Sequence, residues 1–269
     1  MDIETSRQCN IFNVAALARY LRVEEGALLG YYDELLADGE FVSAVNAQMD
    51  LIRRQHGFTK GIFRMERIDS VDWFAFERIL LYVLIRHLKP QACLETGVYY
   101  GGNTAFMLRA LERNGSGILI SIDLPDSKIR VSEQPTSRHP LVGDSEHYEA
   151  TLKPGFMVPN ALRVQWRFIE GDSHQVIPGL AERFDFYIHD SDHSMDFVRK
   201  EMALAHARMN PGGVMAVDDI DWSNGFYSFC CERKLFPLLL TDNGKDNLRV
   251  RTGLVALDHP NTGNPAITG

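Results

Sequence analysis

Two hydrophobic rhythms divide the chain. Up to about residue 68, apolar positions recur at the spacing of a helix face, as in VAALARYLRV and EFVSAVNAQMDLIRRQ, with no strand-like alternation. That pattern predicts a few short helices. A longer helix is expected from Ser70, a plausible N-cap, to His87, with Pro90 as a stop just beyond it. From Ala92 the rhythm changes to short apolar runs separated by helical stretches. ACLETG, GILISIDLP, VQWRFIEGD, FDFYIHD and GVMAVDDI read as five strands, and LFPLLLTD and LRVRTGLVALD as two more. Between them, NTAFMLRALERNG reads as a helix capped by Asn103 and closed by Gly115. MDFVRKEMALAHARM reads as another, ended by Asn210-Pro211-Gly212-Gly213.

Alternating strands and helices imply a parallel sheet covered on both faces, and runs such as GILISI suit strands buried on both sides. The expected fold is α/β: a Rossmann-like, doubly wound, mostly parallel seven-stranded sheet with an N-terminal helical extension. Residues 1–68 would form the extension, as a cap over a site or a homo-oligomer contact. Residues 69–260 would form the main domain, and 261–269 a loose tail. One long irregular stretch, 125–160, carries Pro135, Pro140, Pro154 and Pro159 and is a candidate lid.

Charge narrows the partners. The net charge of −8 disfavours nucleic acid, because the best basic cluster, Arg53-Arg54, is too small to hold a phosphate backbone. The acidic start Met-Asp-Ile-Glu-Thr is unlike a secretory signal, and the apolar run around Ile79–Ile85 is too short for a bilayer, so no membrane partner is expected and a cytoplasmic location is. Cys9, Cys93, Cys230 and Cys231 lack the spacing of a zinc or redox site and read as reduced thiols.

The chemistry concentrates where strands end. In an open parallel sheet, ligands bind outside the carboxyl ends of the strands. The first strand ends in Glu95-x-Gly97-x-x-x-Gly101, where a dinucleotide fingerprint would begin with glycine. Glycines let a ligand approach the backbone, and the helix start beyond them offers free N–H donors to an anion. Glu95 would repel a pyrophosphate but attract an ammonium group. A ligand with both amine and carboxylate would satisfy both. The second strand ends at Asp123, which can accept hydrogen bonds from ribose hydroxyls. An amino acid end, a ribose and a base together describe S-adenosylmethionine.

The stretch from about Ala92 to Ile220 also resembles class I S-adenosylmethionine-dependent methyltransferases, in particular small-molecule O-methyltransferases of the catechol and antibiotic-biosynthesis type. The resemblance rests on Gly171-Asp172-Ser173, Ile177-Pro178, His189 to Ser194, Pro154 to Trp166 and Pro211 to Ile220. It implies that Glu95, Gly97, Tyr99 and Gly101 line the methionine end of the cofactor and that Asn103 and Thr104 meet its carboxylate. Asp123 would hold the ribose and Asp172 and Ser173 the adenine, with Asp190 also facing the cofactor. Asp190, Asp218 and Asp219 would converge on Mg²⁺ or another divalent cation, since aspartates brought together repel unless something positive joins them. Asp219 stands where the family carries asparagine, which puts the metal in question. His193, three positions after Asp190, would act as base beside Asp190, ahead of His189, His174 and His147. The activity implied is methyl transfer to a hydroxyl of a small molecule. An NAD(P)-dependent oxidoreductase and a non-catalytic cofactor-binding protein remain alternatives.

Overall fold

The computed structural model describes residues 3–56, 76–124, 154–242 and 249–262. Helices α1 (Ile3–Leu21), α2 (Glu25–Leu36), α3 (Gly39–His56) and α4 (Phe76–Leu88) precede the sheet. The first three are longer than the short helices expected. Ser70 and most of the predicted lid, 125–153, lie outside the described residues.

The sheet and its helices comprise β1 (Ala92–Thr96), α5 (Gly102–Asn114), β2 (Ile118–Asp123), β3 (Trp166–Glu170), α6 (Ser173–Val176), β4 (Phe184–His189), α7 (Met195–His206), β5 (Met209–Val217), α8 (Gly225–Arg233), β6 (Pro237–Asp242) and β7 (Arg249–Ala256). The seven strands run in the order β3-β2-β1-β4-β5-β7-β6. All neighbours through β5 pair in parallel, and β7 alone is inverted, pairing antiparallel with β5 and β6. This is the doubly wound, mostly parallel sheet that the alternating pattern predicts. The strand order reverses between β1 and β4, so a crevice opens at their carboxyl ends.

Strands β1, β2, β4 and β5 feed both faces. Cys93, Leu119, Phe186, Val214 and Ala216 pack on one side with α4 and α5, and Leu94, Ile120, Tyr187, Met215 and Val217 pack on the other with α7 and α8. The N-terminal helices join the first of these cores. Leu17, Leu28, Tyr32, Leu35 and Phe41 are buried in it together with the apolar α4. Polar ties reinforce the packing. Asp38 accepts from Arg109 Nε at 2.7 Å and Nη2 at 2.8 Å, and the Tyr20 hydroxyl donates to the Phe236 carbonyl at 2.6 Å. The described part of the extension is thus a second helical layer on α4 and α5.

Asn210-Pro211-Gly212-Gly213 does not end the preceding helix. That helix stops at His206, and the four residues lie inside β5, where the pairing with β4 shifts register between Phe184 and Phe186. Pro211 has no N–H to give a ladder, and Gly212 takes φ 75°, so the irregularity absorbs both.

Candidate active site

The turn from β1 to α5 is held from three sides. Gly97 has φ 82°, and a Cβ there would sit 1.9 Å from the Asp190 carbonyl oxygen, so only glycine lets the tips of β1 and β4 close together. The Asp123 carboxylate, at the tip of β2, accepts from the Val98 and Tyr99 amides at 2.8 and 2.7 Å. Tyr99, with φ 47°, passes its carbonyl to the Gly155 amide at 2.8 Å, and the Tyr100 carbonyl takes the Met157 amide at 2.9 Å. The segment Pro154–Val158 therefore lies along the turn.

Two expected donors are turned inward. Asn103 does not cap α5. The cap position is Gly101, left-handed at φ 88°, and the Asn103 amide donates to Asp190 Oδ2 at 2.9 Å and to Glu77. A local cap has lost to two long-range carboxylates. The Thr104 hydroxyl donates to Glu95 at 2.9–3.0 Å, and Ser121 donates to it as well. Glu95 is fully buried; burial pushes its carboxyl up to about 8, against those hydrogen bonds, and the charge of Asp123 pushes the same way.

Asp190, at the tip of β4, and Asp218, at the tip of β5, face Glu77 from the first turn of α4. Among the described residues, these three bring ligand oxygens within 4.8 Å of one another. Burial, reinforced by the neighbouring carboxylates, raises Glu77 and Asp190 well above the ordinary range. Asp219, expected in this trio, is drawn elsewhere. It has φ 51° and its carboxylate pairs with Arg251 of β7. Glu77 takes its place in the cluster. The signal for Glu77 was present: it is the acidic residue near the start of FERILLYVLI, a stretch that is apolar apart from Glu77 and Arg78 and is buried on most of its surface.

His193 stands beside this cluster, its Nε2 at 3.9 Å from Asp190 and 3.8 Å from Asp219, with Trp222 stacked obliquely at 5.5 Å. Burial lowers its imidazole to about 4, with Asp219 opposing, so it is neutral near pH 7. His189 is buried with its ring edge-on to that of His193 at 5.6 Å, and its Nδ1 pairs with Glu201 of α7. His174 stacks on Phe197 at 4.1 Å, and His147 lies outside the described residues. Asp172 caps α6 by accepting from the His174 amide at 2.9 Å, while Ser173 hydrogen-bonds Glu201. Sequence reasoning missed Glu77, Glu201 and Arg251.

Residues 94–220 match a family described as a methyltransferase domain. No curated protein is significantly similar to the chain. Among solved structures, the O-methyltransferase TomG of Streptomyces achromogenes, involved in tomaymycin synthesis and solved with S-adenosylmethionine, aligns at 16% identity and TM-score 0.53 over 85% of this chain and 94% of its own. The O-methyltransferase of Bacillus cereus, solved with S-adenosylhomocysteine, aligns at 16% identity and TM-score 0.51 over 84% and 99%. Identity this low speaks for the fold, whereas the match over 94–220 covers the strand tips that carry Glu95, Asp123, Asp190, His193 and Asp218. Over that stretch the chain matches a methyltransferase domain, carried on the fold that these solved structures share.

Proposed function

We propose that the protein transfers a methyl group from S-adenosylmethionine to a hydroxyl of a small molecule. The observation that carries this reading is the placement of Glu95 and Asp123 on either side of one glycine turn, with Asp190 and His193 across the same crevice. The two similar structures bind this cofactor or its product, and a buried acid at the turn argues against the pyrophosphate of a nicotinamide cofactor.

The cofactor supplies an activated methyl on a sulfonium. Glu95 answers the ammonium of its amino acid end, and Asp123 the ribose hydroxyls. Asp172 lies at the tip of β3, on the adenine side. The α5 start, its Asn103 and Thr104 side chains already engaged, offers backbone donors to the carboxylate. Asp190 and His193 hold the acceptor oxygen in line, and His193 takes its proton. The Glu77–Asp190–Asp218 cluster fits a divalent cation such as Mg²⁺: three carboxylates within reach of one another, two of them buried, are stabilised by a hard cation with oxygen ligands. Such an ion would supply Lewis acidity at the acceptor hydroxyl.

Calorimetry tests the cofactor. S-adenosylhomocysteine is expected to bind and NADH not to; the reverse result overturns the reading. For the chemistry, His193→Ala is expected to lower turnover about 10²–10⁴-fold while the protein still binds cofactor product. Chelation and then Mg²⁺ add-back tests the cation, and full activity in chelator removes it.

A further inference from the structure

Glu201 lies on the buried face of α7 with Val198, Met202 and Ala205, where an aliphatic side chain would satisfy packing. Instead it is a carboxylate with no exposure. Its oxygens accept from Thr96 Oγ1 at 2.8 Å, the Tyr187 hydroxyl at 3.0 Å and Ser191 Oγ at 3.0 Å, and it also engages His189 Nδ1 and the Ser173 side chain. Burial alone would raise its pKa, but His189 and these donors hold it down to about 2.

The donors share an address. Thr96 ends β1 immediately before the turn at Gly97. His189 ends β4 immediately before Asp190, and Ser191 comes directly after it. Ser173 is the neighbour of Asp172. Tyr187 lies two residues below His189 on the same face of β4. All of them belong to segments that lead into the crevice. Burying a carboxylate costs several kcal/mol unless its partners compensate, so packing alone does not account for one here. Charge-assisted hydrogen bonds from several elements to one rigid point do fix those elements relative to each other.

We propose that Glu201 is a positioning residue of the site: through Thr96, His189 and Ser191 it sets the glycine turn that meets the cofactor and the Asp190–His193 loop in register with one another. The proposal rests on the methyltransferase reading, because it gives that register its purpose.

The test is Glu201→Gln in the full chain, which keeps the shape and removes the charge. Amide hydrogen exchange in peptides covering 96–101 and 189–194 is expected to quicken at least about tenfold, with α1, β6 and β7 unchanged. Affinity for S-adenosylhomocysteine is expected to fall about tenfold or more. Exchange that is unchanged or that rises throughout the protein overturns the proposal, and so does unchanged affinity. Should Glu201→Gln not fold, Ser191→Ala decides: selective quickening in 189–194 supports the role, and none refutes it. A parent protein that binds no S-adenosylhomocysteine removes the methyltransferase reading instead, and exchange alone then judges Glu201.

Discussion

Glu95 makes the affinity for the cofactor depend on pH in a definite direction. Its carboxyl titrates near 8 in the folded protein, against about 4.5 ordinarily, because it is wholly buried. Its folded pKa is raised, so its contribution to stability is complete below pH 4.5 and is lost as pH rises through 8. At 1.36 kcal/mol per unit, the full shift corresponds to roughly 5 kcal/mol in order of magnitude. A cationic amine arriving beside it reverses the preference and favours the carboxylate. Binding must then expel close to one proton between pH 5.5 and 7.5. Linkage makes the dissociation constant fall about tenfold per unit across that window, or about 100-fold over the two units. Calorimetric titration of S-adenosylhomocysteine in buffers of different ionisation heat measures both the proton and the constant. Glu95→Gln should bind about tenfold or more weakly at pH 7.5, with a flat profile and no proton release. A parent protein that binds with a flat profile and no release would refute the argument that Glu95 receives the ammonium.

Two further outcomes concern the scaffold. Breaking the buried Asp38–Arg109 pair, whose side chains are 1% and 8% exposed, by Arg109→Ala should cost about 1.5–3 kcal/mol in denaturant unfolding, because Asp38 loses its two-pronged partner and keeps only Arg113 and the Phe41 amide. Gly97→Ala should fold poorly or bind cofactor product at least about tenfold more weakly by calorimetry, since its methyl would overlap the Asp190 carbonyl and the residue needs φ 82°; parent-like stability and affinity would show that the β1 and β4 tips can separate freely.

The strands and the glycine turn were legible because local rules govern them. Apolar runs with two buried faces announce parallel strands, and Gly97 and Gly101 mark backbone that side chains would obstruct. What escaped the sequence depends on distance along the chain. Asn103 looks like a cap until Glu77 and Asp190 arrive from α4 and β4 to take its amide. Asp219 looks like a partner of Asp218 until Arg251 reaches it from the inverted β7, a strand whose direction no local pattern encodes. Glu201 was visible as an acid on the apolar face of α7, three residues after Val198 and one before Met202, but the donors that justify it come from four other segments.

The second helical layer bears on how the protein can be cut. α4 and α5 carry apolar side chains outward as well as toward the sheet, and Leu17, Leu28, Tyr32 and Phe41 are what keeps water from them. A fragment trimmed to the catalytic-looking stretch 94–220 would lack α4 with its Glu77, the inverted β7 with its Arg251, and this outer shield. It would present a greasy flank to its neighbours in solution, so the shortest piece worth expressing must begin near Ile3.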